Sequence, residues 1–417
     1  MKHAPAGIGM LVVAASLAAS CSSSSTPGSP SGNDGGSRDG TASADGSKSG
    51  SGSGSGSEKD AGHDSRMDSG TSSGSGSSHI DSGVDSGSST GSGSGSGTPA
   101  SSCAAGGPGM TSCGAGGSGT ESCCTSLGVP GGTYNRTYTN TGAGPTGEAD
   151  PATVSSFRLD KYLVTVGRFR QFVAAWNGGA GYLPAAGSGK HAHLNGGQGL
   201  ANSGAGGGYE PGWDATDWNN TTDINPTNAN LSSCSPSSTW TNTAGTQENL
   251  PINCVTWWES EAFCIWDGGF LPSEAEWEYA AAGGSQQLEY PWGSAALGTA
   301  CPGTGCEYAI YNCDYPDGAG SCTGVSNIAP VGYASLGVAP WGQLDMAGEV
   351  FEWNLDWYAS PYDSCTDCGD TTVASDRVVR GGYVDFGFSS GLLPPTRNSG
   401  APTVRSGNFG FRCSRTP

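Results

Sequence analysis

The sequence predicts an α+β domain with little regular secondary structure, stapled by disulfides and preceded by an export segment and a low-complexity tether. Three segments have helical periodicity with defined ends, sustained alternating runs are few, and Gly, Pro, Asn and Trp dominate the stretches between them. Fifteen cysteines can supply the covalent constraints that long irregular loops need in a compact domain.

The first helix is predicted to begin after Thr165 and to end at Asn177-Gly-Gly179, because apolar residues recur between them at helical spacing. Those apolar residues are Val166, Phe169, Val173 and Trp176. Short strands are expected around residues 377–380 and 410–414.

Two capping boxes predict two further helices. The Thr-x-x-Glu pattern at 256–259 begins one helix, which we expect to end at Asp267-Gly-Gly269. The Ser-x-x-Glu pattern at 273–276 begins the other, which we expect to end at Gly283-Gly284. In such a box the hydroxyl and the carboxylate each satisfy a backbone N–H at the start of the helix.

The N-terminus has the pattern of a secretory signal. Lys2 precedes an apolar run at about residues 8–19 that is too short to span a bilayer, and small residues then lead to Cys21. We predict a signal peptide at residues 1–20 and lipidation of Cys21, as in a bacterial lipobox, although Ala18 stands where that motif usually has Leu. An ordinary cleaved signal followed by a chance cysteine is the alternative.

Residues 21–100 are nearly all Ser, Gly, Asp and Thr. They offer too few apolar side chains to offset an ordering entropy of about 1–2 kcal/mol per residue. We therefore predict a flexible tether with a reach on the order of 50 Å, which holds the domain of residues 101–417 off a membrane surface. All twelve tryptophans lie in that domain, so the core is expected there.

Charge and cysteine count restrict the partners and the compartment. A net charge of −20 argues against a nucleic-acid partner and leaves any membrane attachment to the lipid anchor. The chain has fifteen cysteines. If Cys21 is lipidated, the number that remains is even, which suits disulfides in an oxidising compartment. The Cys365-Thr-Asp-Cys368 segment is expected to be a local staple, with a redox or zinc motif as the alternative. We expect a location in the cell envelope, either periplasmic or at the surface.

Several sequence blocks, in this order, resemble the formylglycine-generating, sulfatase-modifying-factor family. The blocks are VPGGT at 129–133, DKYLVTVGRFRQF at 160–172, PINCVTW at 251–257, LPSEAEWE at 271–278, YPWG at 290–293, GQLDMAGEVFEW at 342–353, RVVRGG at 377–382 and GFRC at 410–413. Each block alone is a weak signal, but their shared order is specific. The resemblance implies the C-type-lectin-like α+β fold of that family.

The resemblance also implies a disulfide and a calcium site. The family's structural disulfide would join Cys264 to Cys413. The family's DMxGNxxEW turn binds Ca²⁺ through oxygen atoms, which suit a hard cation. Here Glu349 replaces the usual Asn, and simple local capping and pairing by the acidic side chains is the alternative to a metal. The corresponding structural calcium ligands would be Asp345, the carbonyls of Gly348 and Val350, and Glu352.

The reactive cysteines of the family are missing from this sequence. In the family, two closely spaced cysteines after RxxRGG bind Cu(I) and oxidise a target cysteine to formylglycine, because soft thiolates suit this ion. Without gaps, their positions correspond to Phe386 and Gly391, and no residue between Val384 and Arg412 is cysteine. The resemblance therefore implies the scaffold but neither copper nor the usual oxidase chemistry.

We expect an atypical or inactive family member that serves as a binding module for a peptide or glycan at the cell envelope. Trp213, Trp218 and Trp240 could stack on sugars, although core packing is the commoner fate of tryptophan. The alternative is an oxidoreductase of the formylglycine-generating and non-haem iron superfamily that uses other ligands. Its candidate histidines, His191 and His193, are expected to lie in an exposed loop rather than to bind iron.

Overall fold

The computed structural model describes residues 101–103, 112–297, 307–318, 320–360, 362 and 365–417. The predicted signal peptide, the lipidation site Cys21 and the predicted tether lie outside the described residues. Within the described ranges, no helix is long and apolar enough to cross a bilayer.

The predicted helices form where their caps predict them. Thr165 accepts a hydrogen bond from the backbone N–H of Arg168, and Asn177 ends that helix with a left-handed backbone, φ +49°. Both capping boxes are complete, with the side chains of Thr256 and Ser273 bonded to the third helical residue. The short helix α2 was not predicted. The α-helices span Val166–Trp176 (α1), Asn228–Ser232 (α2), Trp257–Trp266 (α3) and Glu274–Ala282 (α4).

Within the described residues, the strands form three larger sheets and one two-stranded pair. The first sheet has the order β1-β4-β12, the second β10-β9-β6-β11 and the third β2-β3-β7, while β5 pairs with β8. The strands are Ser126–Val129 (β1), Gly132–Thr139 (β2), Thr146–Val154 (β3), Phe157–Asp160 (β4), Ala201–Asn202 (β5), Phe351–Trp357 (β6), Cys365–Thr366 (β7), Cys368–Gly369 (β8), Arg377–Arg380 (β9), Arg397–Gly400 (β10), Phe409–Gly410 (β11) and Ser414–Arg415 (β12).

The C-terminal segment joins the two ends of the domain. β11 runs parallel to the fully buried strand β6, and β12 then pairs antiparallel with β4 near the start of the domain. The largest core cluster lies between these strands and the helices α1 and α3, where Phe169, Phe263 and Phe411 pack with ring centroids 5.4–6.2 Å apart. The segment between β9 and β10 connects these two antiparallel strands at one edge of the second sheet.

Six disulfides join cysteines of the described residues. The sulfur atoms of Cys264 and Cys413 lie 2.05 Å apart, which links α3 to the C-terminal segment across 149 positions of sequence. Cys365 and Cys368 form a local staple between β7 and β8. The others are Cys103–Cys124, Cys113–Cys123, Cys234–Cys254 and Cys313–Cys322.

Candidate functional site

The segment that follows β9 brings Phe386 and Gly391 into contact. A Cβ atom built on Gly391 would lie 2.1 Å from Cε1 of Phe386, closer than real Cβ contacts allow. The half-buried Phe386 ring also packs against Phe351 and Tyr383, with centroids 6.3 and 5.5 Å away. The two positions that the resemblance assigns to sulfur donors are therefore neighbours in space, but an aromatic ring fills the room between them.

A cleft of about 360 Å³ adjoins this segment. Its polar side chains are hydroxyl groups, one amide and one carboxylate, and the described lining residues include no cysteine or histidine. This chemistry can form hydrogen bonds to a peptide or a sugar, but it offers no soft donor for Cu(I). Residues that line the cleft include Tyr138, Asn140, Glu289, Tyr290, Ser389 and Thr396.

A disulfide lies beside the segment. Sγ of Cys322 is 2.8 Å and Sγ of Cys313 is 3.9 Å from Oδ1 of Asp385, the residue before Phe386. Among the described residues, these three side chains are the group of His, Cys, Asp or Glu donors close enough together to share an ion. Because the two sulfurs are bonded to each other, they provide no thiolate and do not fit Cu(I) in this state.

The two candidate histidines lie in different environments, and the expectation of an exposed loop was wrong for His191. That residue is fully buried, with Nδ1 3.1 Å from Glu210 and Nε2 3.1 Å from Glu276. Burial disfavours protonation, but the two carboxylates outweigh it and raise the pKa of His191 well above its usual value. Both ring nitrogens of His191 are therefore engaged by carboxylates. His193 is half-buried, and both rings contact Phe270, with centroids 3.8 Å away for His191 and 5.9 Å away for His193.

The turn that the resemblance assigns to calcium carries buried acids. Glu352 accepts two hydrogen bonds from Arg412, from Nε at 2.6 Å and from Nη2 at 2.9 Å. Asp345 and Glu349 have left-handed backbones, with φ of +57° and +68°, and their carboxylates accept bonds from loop N–H groups at 2.6 and 2.8 Å. Glu352 is thus committed to a guanidinium, while Asp345 and Glu349 form no ion pair with a described side chain.

Asp345 and Glu349 are buried without an ion pair to a described side chain, which disfavours their charged forms. Burial raises the pKa of Asp345 to about 6. Burial, together with repulsion from Asp345, raises the pKa of Glu349 well above its ordinary value. Asp345 therefore fits a hard cation, whereas Glu352 fits only if it exchanges Arg412 for the ion. Glu349, which differs from the family's usual Asn, is an additional carboxylate that the resemblance did not include.

A second cavity, of about 450 Å³, has aromatic walls, and we call it the tryptophan pocket. The guanidinium carbon of Arg377 lies 3.6 Å from the ring centroids of both Trp257 and Trp357. Burial lowers the pKa of Arg377 to about 9 and raises the pKa of Glu261 to about 8. The tryptophan pocket is lined by Trp218, Trp257, Trp258, Trp357, Glu210, Asp214, Asp217, Glu261 and Arg377, among others.

Only one of the three tryptophans considered for stacking lines this pocket. Trp218 is half-buried at its wall, whereas Trp213 and Trp240 are buried in the core. The other indoles of the pocket come from α3 and from the end of β6, two segments about a hundred residues apart in sequence. No local pattern in the sequence indicates that these segments meet.

The fold and its cavities define a disulfide-stapled α+β domain in which the segment after β9, which we call the reactive segment, contains no cysteine. The chain belongs to the sulfatase-modifying factor family, because the model of the "Sulfatase-modifying factor enzyme 1-like domain" matches residues 115–417. Membership confirms the predicted C-type-lectin-like fold class.

Curated relatives include proteins named as formylglycine-generating enzymes and proteins named as inactive forms. The chain is 33% identical over 172 residues to "Formylglycine-generating enzyme" of Streptomyces coelicolor, covering 40% of this chain and 52% of the relative. It is 30% identical over 177 residues to "Inactive C-alpha-formylglycine-generating enzyme 2" of Bos taurus, covering 41% and 52%. The chain thus spans about half the length of the curated relatives that it matches.

Similar solved structures share low sequence identity with this chain. "Treponema denticola variable protein 1" is 20% identical with a TM-score of 0.40, covering 70% of this chain and 95% of that protein. PvdO from Pseudomonas aeruginosa is 18% identical with a TM-score of 0.39, covering 70% and 94%.

Proposed function

We propose that the protein is an atypical sulfatase-modifying-factor-like domain, exported and lipid-anchored, which binds a peptide or glycan at the cell envelope and does not make formylglycine. The contact between Phe386 and Gly391 carries this proposal, because a phenyl ring occupies the room that two sulfur donors would need. Similarity to relatives named as inactive supports the same conclusion.

Metal analysis of the purified chain tests this function. We expect calcium without stoichiometric copper or iron, because the reactive segment has no thiol and His191 is held between two carboxylates. Stoichiometric copper or iron, accompanied by oxygen consumption, would overturn the binding role. The metal content should be measured both before and after mild reduction, so that metal binding by thiols released from a disulfide is also detected.

The location proposed is the outer side of a cytoplasmic membrane or an outer membrane. Many disulfides fit an extracellular or periplasmic domain. We propose that lipid on Cys21 is the membrane partner and that residues 21–100 are the tether of the domain at 101–417. Membrane fractionation of cells tests this: the wild type should sediment with membranes and Cys21→Ser should be released. A wild type found entirely in the released fraction would contradict the anchor.

Calcium is proposed as a structural ion in the turn that contains Asp345 and Gly348–Glu352. The buried carboxyls of Asp345 and Glu349 support it, because burial without a paired cation is costly for carboxylates. When bound, the ion would supply charge to this turn, with Asp345 and the carbonyls of Gly348 and Val350 as ligands. Calcium titration followed by thermal unfolding measures its contribution.

One observation favours a second candidate, an oxidoreductase with relocated ligands. Cys313, Cys322 and Asp385 lie together directly beside the reactive segment, and Cys322 is exposed. A dithiol reductant would convert the disulfide to two thiols, which together with the carboxylate could hold a soft metal ion. Copper that binds only after reduction, and that is lost in Cys313→Ser/Cys322→Ser, would support this candidate over the binding module.

A further inference from the structure

We propose that the tryptophan pocket binds an alkylammonium group of the ligand, so that the ligand is an organic cation rather than a neutral sugar. This inference rests on the proposed binding role and names the chemistry of the ligand. A cavity of about 450 Å³ is in the usual size range of small-molecule sites and is large enough to take a substituted ammonium group with part of its chain.

The aromatic walls have the geometry of a corner. Trp218 meets Trp257 nearly edge-on at 5.6 Å and 87°, and Trp257 meets Trp258 at 6.1 Å and 83°. Mutually perpendicular indoles can surround a rounded group from several sides, and the faces of tryptophan attract cations. The pocket already shows this preference, since the guanidinium of Arg377 is held between two of its indoles.

Charge at the pocket is weighted toward acids. Asp214 and Asp217 are exposed at the rim, and Glu261 is buried in the lining. Glu210 is paired with the buried His191, and burial keeps Glu261 largely protonated near neutral pH because it raises the pKa of this carboxyl. Arg377 therefore opposes the two rim carboxylates, Asp214 and Asp217. Arg377 stacks between Trp257 and Trp357. An ammonium group that enters the pocket would therefore contact the other two indoles, Trp218 and Trp258. The acid excess favours a cation over a neutral or anionic group of the same shape.

The wall that carries Trp218 is built in advance of binding. Gly212 has φ of +73°, and a Cβ there would lie 2.7 Å from the backbone of Gly187, so the loop requires glycine for this close approach. Asp214 accepts bonds from the N–H groups of Thr216 and Asp217, and its carbonyl accepts from Trp218. These bonds fix the backbone that carries the Trp218 indole, and an ordered site loses less entropy on binding.

A neutral pyranose is the competing occupant. It could stack on Trp218 and donate hydroxyl groups to Asp214 and Asp217. It would gain no attraction from the excess of carboxylates, whereas an ammonium group would gain from both the rings and the charge. The two ligands therefore differ in their dependence on charge, which an isosteric pair of probes can measure.

The experiment compares choline with its uncharged isostere, in which carbon replaces the quaternary nitrogen, and with N-acetylglucosamine. Binding to the full mature chain is measured by calorimetry. We expect choline to bind roughly tenfold more tightly than the isostere, because the cation–π and charge contributions act on choline alone. Trp218→Ala should abolish choline binding, and Trp292→Ala, which lies outside the pocket, should leave it unchanged.

A surface variant guards against misfolding. Asp214→Asn/Asp217→Asn should weaken choline binding several-fold while leaving the isostere unaffected, because it changes charge at the rim. Equal affinity for choline and its isostere, or no binding of choline, would overturn the inference. Binding of N-acetylglucosamine in place of choline would also overturn it but would leave the proposed binding role standing. Formylglycine formation by the same sample would instead remove the binding role itself.

Discussion

Returning sulfur to positions 386 and 391 should create a Cu(I) site on this scaffold. The perturbation is Phe386→Cys/Gly391→Cys, which removes the ring and places two thiols where the resemblance locates the reactive pair. Because a Cβ at 391 would lie 2.1 Å from the Phe386 ring, the two positions are close enough for their side chains to meet. We expect stoichiometric copper in the double variant and none in the wild type.

The structure also predicts strong coupling between the two substitutions. Gly391→Cys alone forces its Cβ against Cε1 and Cδ1 of Phe386, at 2.1 and 2.3 Å, so the ring must move at a cost of about 1–3 kcal/mol. Phe386→Cys alone removes a half-buried ring from Phe351 and Tyr383, at a cost of about 2 kcal/mol. The double variant has no such clash. Its loss of unfolding free energy should therefore be smaller than the sum of the two single losses by about 1–3 kcal/mol.

Chemical denaturation of the four proteins under reducing conditions measures this coupling, and copper analysis under anaerobic conditions measures the site. Additive losses would show that the two positions do not meet. Copper binding by the wild type equal to that of the double variant would refute the reasoning about missing donors. Single variants serve as controls, since one thiol should not retain the ion as two do.

Three further outcomes are expected. Calcium should raise the midpoint of thermal unfolding of the wild type, and it should raise that of Glu349→Gln less. The control variant Glu148→Gln, at an exposed position, should behave as the wild type. A midpoint that calcium leaves unchanged would contradict the proposed ion. Cys264→Ala/Cys413→Ala should lower the free energy of unfolding by about 5 kcal/mol, because this disulfide closes a loop of 149 positions and restricts the unfolded chain. Cys365→Ala/Cys368→Ala should lower it by about 2 kcal/mol, because that loop spans 3 positions. Equal losses in urea denaturation would refute this expectation. Since burial raises the pKa of Glu261 from 4.5 to about 8, its contribution to the free energy of unfolding is complete below the lower value and is lost as pH rises through the higher one. Glu261→Gln should flatten that part of the pH profile, and an unchanged profile would count against the assignment.

Local signals made the helices predictable. The capping boxes that begin at Thr256 and Ser273 are four-residue patterns, so they can be recognised without knowledge of the fold. Both caps form in the structure as the sequence predicts. The β2–β3 hairpin was missed because its inward face is not purely apolar. Arg136 is buried between Tyr134 and Tyr138, and its guanidinium lies over the ring of Tyr362. A buried charge in the middle of an alternating run hides the strand pattern.

Long-range partners explain what the sequence could not reveal about the candidate sites. The sequence around His191 is typical of a loop, but in the fold Glu276, 85 positions away, lies 3.1 Å from Nε2 of its ring. Glu352 reads as a calcium ligand until Arg412, 60 positions away, pairs with it. The absence of cysteine near Phe386 was evident from the sequence, but the ring that fills the space became evident only in the fold.

The absence of oxidase chemistry is tested most directly by incubating the pure mature chain, reduced and supplied with Cu(I) and oxygen, with a cysteine-containing sulfatase peptide. A formylglycine-generating enzyme serves as the positive control. Because no thiol lies between Val384 and Arg412, we expect mass spectrometry to find the peptide thiol unconverted. Formylglycine in the peptide, formed by this chain at a rate above that of copper alone, would contradict the account.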